Sequence, residues 1–193
     1  MKETILIAII VVIIYLFLFH NKKNMVLIEG RDKNKYLVYD DIKKNDSALL
    51  LSDVINNMFK LRDYLYENIS KYPEFDQYIK QLYKNLHKDR SLIYENDPSS
   101  KLTSFSVNKG EEIAFCLRSK KNNELHQLNL IMYVALHEMG HIACPEIGHG
   151  ELFKKIFKFL TEVSIELNLY RLDNYEENPI EYCGMMLSSN ILI

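Results

Sequence analysis

Between residues 125 and 143 the chain reads as one helix that is almost wholly apolar until it meets His137-Glu138-Met139-Gly140-His141. Ile131, Met132, Val134, Ala135 and Leu136 cover the preceding turns on every side, which requires a central, buried helix around which the rest must pack. Two histidines four residues apart lie on one helix face, about 40° apart, so both imidazoles can converge on one ion. Glu138 is swung roughly 100° round the helix from His137, where a carboxylate can reach a metal-bound water without itself ligating the metal. Partly buried histidines need partners, and a metal supplies them.

A catalytic zinc usually takes three protein ligands and leaves one position open. Downstream candidates are Cys144, Glu146, His149, Glu151, Glu162 and Glu166. Pro145 should end the helix near Cys144, and Gly148 and Gly150 flank His149 with the backbone freedom a chain reversal needs. His149 also opens a second helix, from Glu151 to about Leu167, that packs through Leu152, Ile156, Leu160, Val163 and Leu167. Glu162 shares the polar stripe of Lys154 and Lys158, and Glu166 lies at its margin. His149 is therefore favoured as the third ligand, with the others as alternatives.

The stretch LHEMGHIACPEIGHGELF resembles the compact zinc metallopeptidases of the SprT and WLM (Wss1-like) type, in which HExxH is followed by a short loop, a third histidine and an aromatic. The matching positions are His137, Glu138, His141, His149 and Phe153, within a resemblance that spans Asn129 to roughly Leu160. It implies an α+β, minimal zincin-like domain with a short antiparallel or mixed sheet, an active-site helix and a backing helix. It also implies bound zinc (Zn2+) on His137, His141 and His149, and peptide-bond hydrolysis by an activated water with Glu138 as general base and then acid. The metzincin third-ligand position is Ile147 here, which disfavours that branch. DNA-repair activity, known for SprT-type relatives, is not carried over: 24 basic against 26 acidic residues leave no basic excess for nucleic acid.

Residues 5–19 (ILIAIIVVIIYLFLF) form an unbroken apolar run, which as a helix would extend roughly 22 Å. No small-residue cleavage site follows, so the reading is a transmembrane anchor over 4–20 in the lipid bilayer rather than a signal peptide. Lys22, Lys23, Arg31, Lys33 and Lys35 on its carboxyl side favour a single-pass membrane protein whose domain, 25–193, faces the cytosol.

The body reads as a hairpin over 25–29 and 35–40, a long helix ended by Pro73, a second helix through residues 75–86, a connecting loop over 88–102, and a second hairpin, Thr103–Val107 with Glu112–Leu117. Either strand of that second hairpin can accept a peptide substrate as an added strand. Tyr182, His126 and Arg118 are candidate donors to the oxyanion of the reaction, each more often a packing or surface residue. Cys183 and Met185 read as packing residues, and three cysteines are too few for a disulfide scaffold. Two other readings share the motif: a non-catalytic adaptor whose structural zinc is closed by a fourth ligand, and a metallohydrolase acting on non-peptide bonds.

Overall fold

The computed structural model describes residues 24–193. Strands β1 (Met25–Glu29) and β2 (Lys35–Tyr39) form an antiparallel hairpin in the register Met25↔Tyr39. Helix α1 (Lys44–Glu67) follows, then two short 3-10 turns (Ile69–Lys71 and Pro73–Phe75) and helix α2 (Asp76–Asn85). Strands β3 (Leu92–Glu95), β4 (Phe105–Val107) and β5 (Glu112–Phe115) make a three-stranded mixed sheet in the order β3-β5-β4. Helices α3 (Leu128–Ala143) and α4 (Glu151–Glu166) come next, and a last hairpin pairs β6 (Ile180–Tyr182) with β7 (Met185–Leu187). The architecture is mixed α/β with short sheets.

The apolar character of α3 has the packing consequence its sequence demands. Helices α1, α2 and α4 all lie against it, and Ile131, Met132, Ala135, Leu136, Met139 and Ile142 are fully buried. Each such large aliphatic side chain contributes roughly 1.5–3 kcal/mol of burial. Helix α1 presents Leu51, Val54, Met58, Leu61 and Leu65 to the same core at helical spacing. Gly140 lets α4 come close, since a Cβ there would meet the Phe153 ring at 3.1 Å.

Among the described residues no helix is long and apolar enough to cross a membrane. The expected fold class, in which a transmembrane helix precedes the domain, and the expected single-pass membrane localisation are corrected accordingly. The physical reason is plain in the two helices that come nearest. The 24-residue α1 carries Asp53, Lys60, Arg62 and Asp63 along its length, and the apolar α3 has only 16 residues, most of them buried in the protein core. Residues 4–20, from which the anchor was read, lie outside the described residues.

Two further differences from the sequence reading matter for the site. The supposed loop 88–102 contains β3, which pairs parallel to β5 in the register Leu92↔Glu112. This makes β5 the central strand and leaves β4 as a sheet edge. Cys116 and Cys183 form a disulfide, joining the residue after β5 to the tight turn of the last hairpin, while Cys144 is free and buried. That turn, Cys183-Gly184, has φ of 51° and 86°, as a two-residue type I′ turn requires.

Arg118 is buried in a closed ionic knot. Its Nε donates to Glu95 Oε1 at 2.6 Å, Nη1 to Asp41 Oδ2 at 2.5 Å and Nη2 to Ser47 Oγ at 2.6 Å. The second Glu95 oxygen accepts from the Tyr39 backbone N–H at 2.8 Å. Burial pushes the Glu95 carboxyl above the usual range, and the Arg118 guanidinium pulls it part of the way back. The knot ties the first hairpin, the start of α1, β3 and the end of β5 together beneath the sheet.

Candidate metal centre

Helix α3 and the start of α4 bring three imidazoles together. The Nε2 atoms of His137, His141 and His149 lie 3.1 Å from one another in all three pairs. A ring N–H points along one direction in its own plane, so three neutral imidazoles cannot satisfy such a triangle with hydrogen bonds alone. A divalent ion can. At a Zn–N distance of ~2.05 Å, a 3.1 Å edge corresponds to an N–Zn–N angle of about 98°, close to tetrahedral with a corner left free. The donor set therefore fits a metal ion, and no other His, Cys, Asp or Glu joins this group among the described residues.

Phe153, in the first turn of α4, orients all three rings. It stacks on His141 at 4.3 Å between centroids and meets His137 and His149 edge-on at 5.0 and 4.9 Å. Burial, with His141 and His149 close by, depresses His137 to about 4, and burial with His149 and Lys109 close by does the same to His141. Both rings are thus neutral at physiological pH, as a metal ligand must be.

Glu138 does not join the triangle. It is 5% exposed, and its side chain takes a hydrogen bond from Ser106 on β4. Burial lifts its carboxyl to about 7 despite that bond. The three histidines and Glu138 line a cleft of about 610 Å³ whose opposite wall is residues 103–106, the edge strand and its approach. Ile147, 96% exposed, stands at the rim.

The remaining sequence candidates fall elsewhere. Cys144 is buried outside the cluster, Glu151 pairs with Lys154, and Glu162 faces solvent. Glu146 lines the cleft without reaching the imidazoles, and Glu166 ends α4 beside Tyr72. Arg118 is consumed by its ionic knot, and His126 accepts from the Cys183 N–H at 3.4 Å while packing on Tyr182. Tyr182 shares a short hydrogen bond with the Ser104 hydroxyl behind the cleft wall. Burial raises its hydroxyl pKa far above normal, and nearby Glu138 adds to the effect.

Sequence reasoning missed three contributors: Ser104, Ser106 and Lys109. Ser104 just before β4 and Ser106 within it alternate with Phe105 and Val107, a pattern visible in SFSV, but nothing in it says which face meets Glu138. Lys109 occupies the turn between β4 and β5 and carried no signal beyond turn composition.

No protein-family model matches the chain. It is 44% identical to "Uncharacterized protein R325" of Acanthamoeba polyphaga mimivirus over 190 residues, covering 96% of this chain and 95% of that one. "Uncharacterized protein 136R" of Invertebrate iridescent virus 6 is 33% identical over 84 residues, 42% of this chain and 47% of the relative. "Uncharacterized protein 042R" of Invertebrate iridescent virus 3 is 33% identical over 82 residues, 42% of this chain and 50% of the relative. Among solved structures, Wss1 from Saccharomyces cerevisiae aligns with a TM-score of 0.36 at 22% identity, over 40% of this chain and 60% of that one.

Proposed function

This chain belongs to the family of its full-length mimivirus relative, and we propose that it is a zinc-dependent metallopeptidase hydrolysing peptide bonds. The observation that carries the reading is the meeting, in one cleft, of three converging imidazoles and a buried carboxyl that is not a ligand. His137, His141 and His149 would hold the ion, and an all-imidazole set with an open corner suits zinc among the common divalent metals. Bound there, zinc would supply Lewis acidity, polarising a carbonyl and lowering the pKa of a water molecule towards ~7.

Glu138 then has the proton work. Its carboxylate takes a proton from the attacking water and returns it to the leaving amine nitrogen. Burial lifts that carboxyl to about 7 in the metal-free chain, which makes it a stronger base than an exposed glutamate. Ser106 holds that carboxyl from the strand side, so the base and the edge strand share one support. The edge of β4 offers unpaired backbone groups along the cleft, onto which a peptide can add as a further strand.

The adaptor reading needs a fourth ligand, and the nearest candidates, Cys144 and Glu146, stand outside the imidazole group. A substrate panel separates peptide from non-peptide hydrolysis. The test is to load the full chain with zinc and incubate wild type and Glu138→Gln with an unbiased peptide library. The expected result is one zinc per chain in both, with cleavage about 10³-fold slower in the variant. Unchanged cleavage in the variant would falsify the mechanism.

A further inference from the structure

Helix α3 ends without the usual left-handed glycine. Cys144 is extended, with ψ 127°, and Pro145 follows it, so the chain leaves the helix with carbonyls that have no helical partner. Two side chains from elsewhere supply those partners. Gln81 donates to Ile142 O at 3.2 Å, and Lys109 Nζ donates to His141 O, Cys144 O and Glu146 O at 3.1, 2.6 and 2.8 Å. An ammonium has three protons, and here each one has a backbone carbonyl.

These three carbonyls are spaced along the segment joining the second histidine to the third. That segment has little else to hold it. Pro145, Glu146 and Ile147 are exposed in succession, and Gly148, at φ +88°, has nothing within 4 Å of the place a Cβ would occupy. Lys109 is delivered to it by a turn in which Asn108, Lys109 and Gly110 all have positive φ, 49°, 56° and 105°. Gly110 presses that turn onto the last turn of α3, where a Cβ would meet Ile142 at 3.2 Å.

We infer that Lys109 is a positioning residue for the metal centre: its ammonium fixes the backbone between His141 and His149 and so sets His149 in place before a metal arrives. The inference rests on the metal-centre reading above and concerns assembly of the site rather than bond cleavage. Preorganised ligands bind metal more tightly than ligands that must first be ordered. An arginine cannot replace this group, because a planar fork does not direct three donors from one atom to converging carbonyls.

The test is a double-mutant cycle read by zinc affinity, measured on the full chain by competition with a chromophoric chelator. Lys109→Met keeps the aliphatic stem and removes the donors. Zinc affinity should fall about 10–100-fold in the otherwise wild-type chain. On a His149→Ala background the same change should cost less than about twofold, because the ligand it positions is gone. Equal losses in both backgrounds, or no loss in either, overturn the inference. Should circular dichroism show Lys109→Met unfolded, Lys109→Gln takes its place with the same outcomes. A wild-type chain that binds no zinc sinks the metal-centre reading itself, and one that binds zinc yet cleaves no peptide sinks only the peptidase reading.

Discussion

The chain gathers two clusters of ionisable side chains, one sealed in the core and one opening onto the cleft, and they are built on opposite principles. Around Arg118, each guanidinium nitrogen and both Glu95 oxygens have a partner from within the chain, spread over hairpin, helix and sheet. Around His137, the Nε2 atoms of three imidazoles face one another and Glu138 is buried beside them with one hydroxyl for company. A buried polar group without a partner carries a cost, so the first cluster reads as scaffold and the second as a receptor for something not made of protein. The lesson is to count partners before counting charges.

The largest effect that separates the two clusters is on folding. Replacing Arg118 with Met strands the Glu95 carboxylate in the core and should cost about 3–5 kcal/mol in urea unfolding. If the loss is under about 1 kcal/mol, the knot is not the scaffold described here. Next in size is the pH dependence of the metal-free protein. Glu138 has a folded pKa of about 7 against 4.5 unfolded, so the folded state holds the extra proton between those values. Its contribution to stability is complete below pH 4.5 and is lost as pH rises through 7. With a chelator present, Glu138→Gln should match wild type near pH 4 and gain up to about 3 kcal/mol on it above pH 7. A flat difference across that range would show that the carboxyl is not buried as described.

The third contrast is between removing a partner and removing a ligand. His141→Ala should leave metal-free stability within ~1 kcal/mol of wild type, since it relieves an unsatisfied cluster. It should also abolish the gain that zinc at a hundred times its Kd gives wild type, about 2.7 kcal/mol. Thermal unfolding with and without zinc reads both. The smallest effect belongs to Tyr182, which is bonded to Ser104 and close to Glu138. Tyr182→Phe removes its bond to Ser104, while Ser104 still accepts from the Cys116 N–H at 3.0 Å, so about 1 kcal/mol is expected in the same assay.

What the sequence disclosed followed the range of the interactions involved. The pairing of His137 and His141 is a property of one helical turn, and the return of His149 is written in Pro145, Gly148 and Gly150 within a dozen residues. Phe153 was found through resemblance, and its ring does lie against all three histidines. Strand β3 was missed because its partner β5 lies some twenty residues on, in a parallel pairing that turn signals do not announce. Arg118 is the packed residue it was more often expected to be, but a lone arginine says nothing of the two carboxylates, 23 and 77 residues back, that enclose it. Lys109 escaped for the same reason, since its acceptors are backbone atoms more than thirty residues away. The N-terminal run was read from composition alone, and the membrane architecture built on it has no counterpart among the described helices.

The bond between Cys116 and Cys183 closes a covalent ring of chain, 67 positions round, and every histidine of the triangle, together with Glu138, lies on that ring. Closing a loop of that size removes about 4 kcal/mol of disorder from the denatured chain. That bias acts on the segment bearing the three imidazoles, whatever the amino-terminal half is doing. Opening the ring by reduction would leave the folded contacts in place and still lower stability, by enlarging the ensemble from which the site has to be gathered.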